Sequence, residues 1–374
     1  MNDEAAMRLA LAQARRARGK SFPNPPVGAV VFRGDRVLGR GYTRPVGGPH
    51  AEVVAIDRAL ARHGARAVRG AALAVTLEPC SHEGRTPPCV DRVRTAGIAR
   101  VAVGHVDPHR RVAGGGIRRL RRAGVRVEVG VLEGACREQH RGFLSSVARG
   151  RPFVMLKLAS TLDGRIATVR GESRWITGPE SRAAVHRLRS RVDAVMVGAA
   201  TARADDPELT ARRGTRVVHR PVRVVVDSKL TLPASARLYR GGAGAAWVLC
   251  GLRPPAARRS AVEARGAKLL PVRQRGGALD LRAGLRCLAR EGLSEILVEG
   301  GGELAAALLR ARLVDEVHWF AAPRFLGGDA RAALGPLGIG RLARSPQLAE
   351  LRVRRVGRDV YFVGTLARAG GSVQ

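Results

Sequence analysis

Three side chains place the tightest constraint on how this chain can fold: His50, Cys80 and Cys89. His50 heads an apolar pattern of helical period, Cys80 follows an apolar run of strand type, and Cys89 heads a second helical stretch. One imidazole and two thiolates form a donor set suited to Zn²⁺, a borderline-soft ion. Gathering them around one ion requires the ends of three separate elements to converge. Three protein ligands leave a fourth tetrahedral position for water, which marks a catalytic rather than a structural centre.

Glu52 stands two residues beyond His50, close enough to exchange a proton with such a water without binding the metal. Cys80 or Cys89 alone reads as an ordinary buried thiol, and His50 alone as a core or surface histidine. The four residues together carry the metal reading. His82, in the loop between the thiols, reads as a loop residue near the substrate rather than a fourth ligand. Cys136, Cys250 and Cys287 fit no ligand spacing and are expected to fill small core positions.

The spacing of apolar residues predicts alternating helices and strands. Residues 3–18 form a helix with Met7, Ala10, Leu11 and Ala14 on one face. Runs 27–32 and 36–41, parted by Arg33-Gly34-Asp35, predict a hairpin. A helix over 51–62, a strand over 72–77, a helix from Cys89 to Gly97, a strand over 100–104, a helix over 117–123 and a strand over 125–129 follow. That order predicts a layered α/β domain over 1–147. Arg149-Gly150-Arg151-Pro152 reads as a linker over 148–152. Strand-like runs at 153–158, 193–198, 222–227, 246–250 and 295–299 predict a second α/β domain over 153–367, with a frayed tail at 368–374.

The net charge is +35, with 66 basic residues of which Lys20, Lys157, Lys229 and Lys268 are the lysines. A nucleic-acid footprint would concentrate that charge beside stacking aromatics. Here the arginines are spread along the chain and aromatics make up 3% of residues, so nucleic acid is not the expected partner. No membrane span is expected, because no run of 18 residues is free of charge. The acidic start, Met1-Asn2-Asp3-Glu4, is unlike a signal peptide, and five cysteines do not make a disulfide framework; a cytoplasmic location is expected.

His-x-Glu with Pro-Cys matches the zinc nucleobase-deaminase pattern, except that eight residues separate the two thiols. The stretch Thr76-Leu77-Glu78-Pro79-Cys80-Ser81-His82-x-Gly84-Arg85-Thr86-Pro87-Pro88-Cys89 resembles the deaminase half of the bifunctional riboflavin-biosynthesis deaminase/reductases. Asn24-Pro25-Pro26-Val27-Gly28 and Asp107-Pro108 continue that resemblance. It implies that Asn24, Arg85 and Thr86 contact the pyrimidine or its ribose phosphate. Thr43 replaces the family's histidine ahead of the zinc motif, and His109 replaces an asparagine. The first substitution puts one substrate contact in question.

Residues 152–374 lack a G-x-G-x-x-G after a strand, so a standard dinucleotide fold is not supported. A triple glycine, 300–302, does follow the apolar run 295–299 and precede a helical stretch, a place where backbone N–H groups can hold phosphate. Leu156-Lys157-x-Ala159-x-x-Leu162-Asp163-Gly164-Arg165 is similar to the reductase half of the same family. So are Gly171-Glu172-Ser173-x-Trp175-Ile176-Thr177, Thr201-x-x-x-Asp205-Asp206-Pro207-x-Leu209-Thr210 and Val226-Asp227-Ser228.

The resemblance implies an N-terminal cytidine-deaminase-like three-layer α/β/α domain and a C-terminal dihydrofolate-reductase-like α/β domain. It implies Zn²⁺ and NADPH as cofactors, a homo-oligomer, and a phosphorylated pyrimidine as substrate. Ala159, Trp175, Thr201, Asp205, Ser228, Gly301 and Gly302 would line the NADPH site. Ser173, Arg189, Leu209, Arg212 and Glu299 would hold the substrate, the arginines suiting a ribose 5-phosphate through bidentate bonds. Lys157 and Asp163 are further candidates for orienting the sugar. The implied reactions are loss of the 2-amino group from 2,5-diamino-6-ribosylamino-4(3H)-pyrimidinone 5′-phosphate and reduction of the ribosyl chain to ribityl. Two other readings stay open: a zinc deaminase acting on nucleic acid, which leaves 152–367 unexplained, and a reductase whose deaminase half only scaffolds an oligomer.

Overall fold

The computed structural model describes residues 1–84, 86–109, 113–241 and 244–367. Arg85 and the tail at 368–374 lie outside the described residues. The chain divides into two compact units: Met1–Arg151 with Glu291–Ser294, and Pro152–Arg290 with residues 295–367.

In the first unit, α1 (Asp3–Ala17) starts where the Asn2 side chain accepts the Ala5 N–H at 2.9 Å, with Asp3 and Glu4 in its first turn and Arg15 and Arg16 in its last. A hairpin of β1 (Gly28–Arg33) and β2 (Arg36–Tyr42) follows, turning through Gly34 at φ 53°. Then come α2 (Ala51–Val68), β3 (Ala72–Val75), α3 (Cys89–Thr95), β4 (Arg100–Val103), α4 (Gly115–Arg122), β5 (Arg126–Val129), α5 (Glu133–Gln139) and α6 (Arg141–Arg149).

The strand order is β2-β1-β3-β4-β5, antiparallel across β2-β1-β3 and parallel across β3-β4-β5. Successive strand residues point to opposite faces, so β1 serves two cores. Val30 and Phe32 join Met7, Ala10 and Leu11 of α1 and Cys136 of α5; Ala29 and Val31 join Ala55, Ile56 and Ala59 of α2 and Val93 of α3. The result is three layers, α/β/α. Met7, Phe32, Ile56 and Leu73 are fully buried, each worth about 1.5–3 kcal/mol of transfer free energy.

Two glycines fix where α2 lies. A Cβ at Gly39 or Gly41 would come within 2.1 Å of the Ala55 or Ala51 carbonyl, so α2 rests its backbone directly on β2. The helix expected over 51–62 runs on to Val68 through a non-helical residue, Gly64. Helices α5 and α6 were not expected, since each is shorter than ten residues and buries only two, Cys136 and Gln139 in α5 and Gly142 and Ser145 in α6.

The second unit is built on a nine-stranded sheet. Its order is Lys268–Pro271, Ala246–Cys250, Val222–Val226, Ala194–Gly198, Glu295–Glu299, β6 (Phe153–Thr161), Glu316–Ala322, Asp359–Leu366 and Leu348–Val356. The first seven strands are parallel and the last two antiparallel. The five anticipated strands are all present, and the other four had not been expected. Helix α7 (Pro179–Arg189) is pinned at its start by Asp359, whose Oδ2 accepts from Gly178 N at 2.7 Å and the Ser181 hydroxyl at 2.6 Å. Among the described residues, no helix is long and apolar enough to cross a membrane.

Candidate active sites

His50 is the N-cap of α2, and Cys89 is the first residue of α3. Cys80 lies on the loop that leaves β3. Their donor atoms all lie within 4.8 Å of one another. The His50 Nδ1 is 3.2 Å from Cys89 Sγ and 3.6 Å from Cys80 Sγ. Bonds of about 2.0 Å to nitrogen and about 2.3 Å to sulfur in a tetrahedral zinc site put N and S roughly 3.5 Å apart, so these three residues fit that ion.

The surroundings suit a metal as well. Cys89 N–H points at Cys80 Sγ at 3.3 Å, and hydrogen bonding from Cys89 and His50 draws the Cys80 thiol below its usual range. Glu52 is 3% exposed, in the first turn of α2, and burial pushes its carboxyl up to about 7. The structure thus brings His50, Cys80, Cys89 and Glu52 to one place. A buried carboxyl with a raised pKa is suited to taking up and releasing a proton near neutrality.

Asn24 sits partly buried on the loop before β1, and Thr86 partly buried on the loop between the two cysteines. Thr43 is buried, and its hydroxyl accepts the Val27 N–H at 3.1 Å, which ties the ends of β1 and β2 together. Sequence reasoning gave no role to Glu78. Its buried carboxylate accepts four backbone N–H groups, from Asp107, Gly114, Gly116 and Ile117, at 2.9–3.2 Å. Its place in the Leu77-Glu78-Pro79-Cys80 run, an acid beside a ligand, was the one available signal.

In the second unit the expected cofactor residues gather at the carboxyl ends of parallel strands, where open α/β sheets bind ligands. Ala159 is near the end of β6, and Ser228 follows Val222–Val226. Thr201 and Asp205 belong to the helix Ala199–Asp205, which continues from the strand Ala194–Gly198. Gly300 and Gly301 turn with φ of 73° and 76° out of the strand Glu295–Glu299, and Gly302 begins the next helix. A Cβ on Gly301 would lie 2.7 Å from the Thr201 hydroxyl, so those two segments touch. Arg174 donates to the Asp205 carbonyl, joining the loop of Ser173 and Trp175 to the same end of the sheet. Trp175 is 63% exposed and lies under the Arg182 guanidinium.

The residues expected to hold substrate behave differently. Arg189 of α7 makes a paired contact with Glu299, Nε to Oε1 at 2.5 Å and Nη2 to Oε2 at 2.8 Å, and its Nη1 donates to the Thr210 carbonyl. Burial alone would raise Glu299, but Arg189 and then Lys157 outweigh it and hold the carboxyl below its usual range. Arg212 is bound to Glu208 and donates to the Thr210 hydroxyl at 3.2 Å. Leu209, at φ 54°, buries its side chain in the core and leaves only its backbone to face a ligand. Lys157 is partly buried, its pKa lowered by burial and opposed by Glu299 and Asp205. Asp163 accepts from the Leu326 and Gly327 N–H groups, at 3.1 and 2.8 Å, and so holds a loop.

Residues 1–105 match the family described as the cytidine and deoxycytidylate deaminase zinc-binding region, and residues 152–362 match the RibD C-terminal domain. The chain is 39% identical to the riboflavin biosynthesis protein RibD of Escherichia coli, over 97% of this chain and 100% of that one. It is 40% identical to RibD of Synechocystis, over 98% and 97% of the two chains. Among solved structures, Acinetobacter baumannii RibD superposes with a TM-score of 0.86 at 32% identity, covering 98% of this chain and 99% of that one. A diaminohydroxyphosphoribosylaminopyrimidine deaminase/5-amino-6-(5-phosphoribosylamino)uracil reductase from Thermotoga maritima gives 0.83 at 33% identity, with the same coverage.

Proposed function

We propose residue roles and a substrate from the premise that this chain belongs to the RibD family, the bifunctional deaminase/reductases of riboflavin biosynthesis. It is an enzyme with a zinc-dependent deaminase unit and a reductase unit of the NADPH-using type. The observation that carries the deaminase reading is the convergence of His50, Cys80 and Cys89 beside the buried carboxyl of Glu52.

Our reading of the first reaction is hydrolysis of the 2-amino group of the phosphorylated diaminopyrimidinone. His50 Nδ1 and the thiolates of Cys80 and Cys89 would hold zinc, which supplies Lewis-acid activation of a water near neutral pH. Glu52 takes the proton from that water and delivers it to the departing amine, so one carboxyl serves as base and then as acid. Asn24, Arg85 and Thr86 would hold the pyrimidine and its ribose phosphate.

In the second reaction the ribosyl carbon is reduced. NADPH supplies the hydride, and Ala159, Trp175, Thr201, Asp205, Ser228, Gly301 and Gly302 would seat it at the strand ends. The backbone N–H groups of the glycine turn, at the start of a helix, suit a phosphate. Lys157 faces Glu299 and Asp205 and orients the sugar, while Ser173, Arg212 and the Leu209 backbone complete the substrate contacts. Arg189 acts through Glu299, which it holds ionised. Hydride transfer demands positioning above all, which fixed strand ends supply. A nucleic-acid deaminase would leave this whole second unit without work.

The test is a coupled assay on the purified full chain. With the diaminopyrimidinone alone, ammonia is released; addition of NADPH then leads to its oxidation. Ammonia release that survives complete removal of zinc would defeat the first assignment, and NADPH that stays reduced in the presence of deaminated intermediate would defeat the second.

A further inference from the structure

We propose that Glu78 is a positioning residue for the metal centre, clamping the loop that carries Cys80 onto the N-terminus of α4. This rests on the zinc-deaminase reading of that site. The carboxylate is 4% exposed, and its charge is met by backbone N–H groups. Oε2 accepts from Asp107 N at 3.1 Å and Gly114 N at 3.0 Å; Oε1 accepts from Gly116 N at 2.9 Å and Ile117 N at 3.2 Å. Three of those donors belong to the first turn of α4 or to its cap, where a negative charge is favoured.

The clamp brackets Cys80 on both sides. Two residues before it, Glu78 also donates its own N–H to the His105 carbonyl at 3.0 Å. One residue after it, the Ser81 carbonyl accepts from Arg119 of α4 at 3.2 Å. Between them, the Pro79 carbonyl lies so close to α4 that a Cβ on Gly116 would be 2.0 Å from it. Residues 78, 79 and 81 are therefore all fixed to one helix, and Cys80 is the residue between. Metal ligands are useful only when held to within about 0.5 Å of their working geometry, and outer supports of this kind are typically worth 10–100-fold in metal affinity.

Two variants of the full chain attack the clamp from opposite sides. Glu78→Gln replaces one acceptor oxygen with an amide that itself donates, facing backbone donors. Gly116→Ala pushes on the Pro79 carbonyl and leaves Glu78 intact. In each, zinc affinity measured by competition with a chromogenic chelator is expected to fall about 10–100-fold. Deamination is expected to lose kcat rather than gain KM. Hydrogen exchange should quicken at Gly114, Gly116 and Ile117 in Glu78→Gln, while α1 and β1 stay protected. Zinc affinity within twofold of wild type in both variants overturns the proposal. So does loss of protection across all of β1–β5 in both, which would make the contact a determinant of folding instead. A wild-type chain that binds no zinc overturns the deaminase reading as well, so the two failures are told apart by the unmutated protein.

Discussion

Arg189 and Glu299 meet in the second unit as a fork against a carboxylate, with both Glu299 oxygens engaged and side-chain exposures of 17% and 9%. The sequence had offered both as substrate contacts. In the structure each is the other's partner, and Arg189 has donated a third N–H to Thr210. A buried guanidinium with its carboxylate removed is left uncompensated, which typically costs about 3–5 kcal/mol. Glu299→Ala is therefore expected to lower the stability of the second unit by that order. Trp175, Trp247 and Trp319 all lie in this unit, so tryptophan fluorescence during urea unfolding reports on it selectively. An unchanged urea midpoint would show that the pair serves ligand binding and not stability.

Glu52 and the metal ligands separate the two activities. Glu52→Gln keeps a side chain of the same size at a buried position but removes the group that shuttles the proton. Ammonia release should fall about 10²–10⁴-fold, the usual worth of a general base. Zinc content and NADPH oxidation with deaminated intermediate should stay at wild-type values. Chelation of zinc should produce the same split. Ammonia release at the full rate in Glu52→Gln would remove this residue from the mechanism.

The contrast between those two sites explains what a sequence of this kind makes legible. His50, Cys80 and Cys89 could be read because few residue types bind zinc, and they cluster on the chain. The interior strands at 194–198, 222–226 and 295–299 could be read because three consecutive apolar residues, at 195–197, 224–226 and 296–298, form the middle or end of each. The strand Glu316–Ala322 was missed because Glu316 and His318 face inward, satisfied by each other and by Tyr361, 43 positions away. Leu348–Val356 was missed because its residues are mostly exposed, with arginines at 352, 354 and 355. Glu78 offered only its place beside a ligand, because its partners are backbone amides, which nearly every residue type carries. Arg189 and Glu299 are 110 positions apart, and nothing in either local pattern announces the other.

Lys157 gives the sharpest test of the reductase assignment. It projects from β6 on a row shared with Glu299 and His318 of the flanking strands, its charge opposed by burial and supported by Glu299 and Asp205. A hydrogen bond from a charged group is worth about 1.5–3 kcal/mol, so Lys157→Met should lower kcat/KM for reduction roughly 10- to 100-fold. NADPH affinity, followed by its fluorescence, should hardly change. A large loss of NADPH affinity with normal turnover at saturation would move Lys157 from the sugar to the cofactor.

The first unit also carries a titratable pair away from the metal. His140 is fully buried, its Nε2 3.0 Å from the Thr76 hydroxyl, and its ring meets the buried His105 edge-on at 5.2 Å. His105 contacts the Val106 carbonyl at 2.9 Å. Burial, then the charges of His105 and Arg18, pushes His140 well below the usual histidine range. Burial also lowers His105, with Arg137 adding to the effect and Glu133 and Glu78 opposing it. Both rings are thus neutral in the folded unit and take up protons more readily when it unfolds. The sign follows: stability is intact above the unfolded value near 6.5 and declines as pH falls below it, by up to about 1.4 kcal/mol per pH unit for each histidine. Hydrogen exchange of the β1–β5 amides between pH 7 and pH 5, corrected for intrinsic rates, should show that decline. His140→Gln, which can still bond Thr76 but does not titrate, should flatten it; an equal slope in that variant would assign the acid sensitivity to other groups.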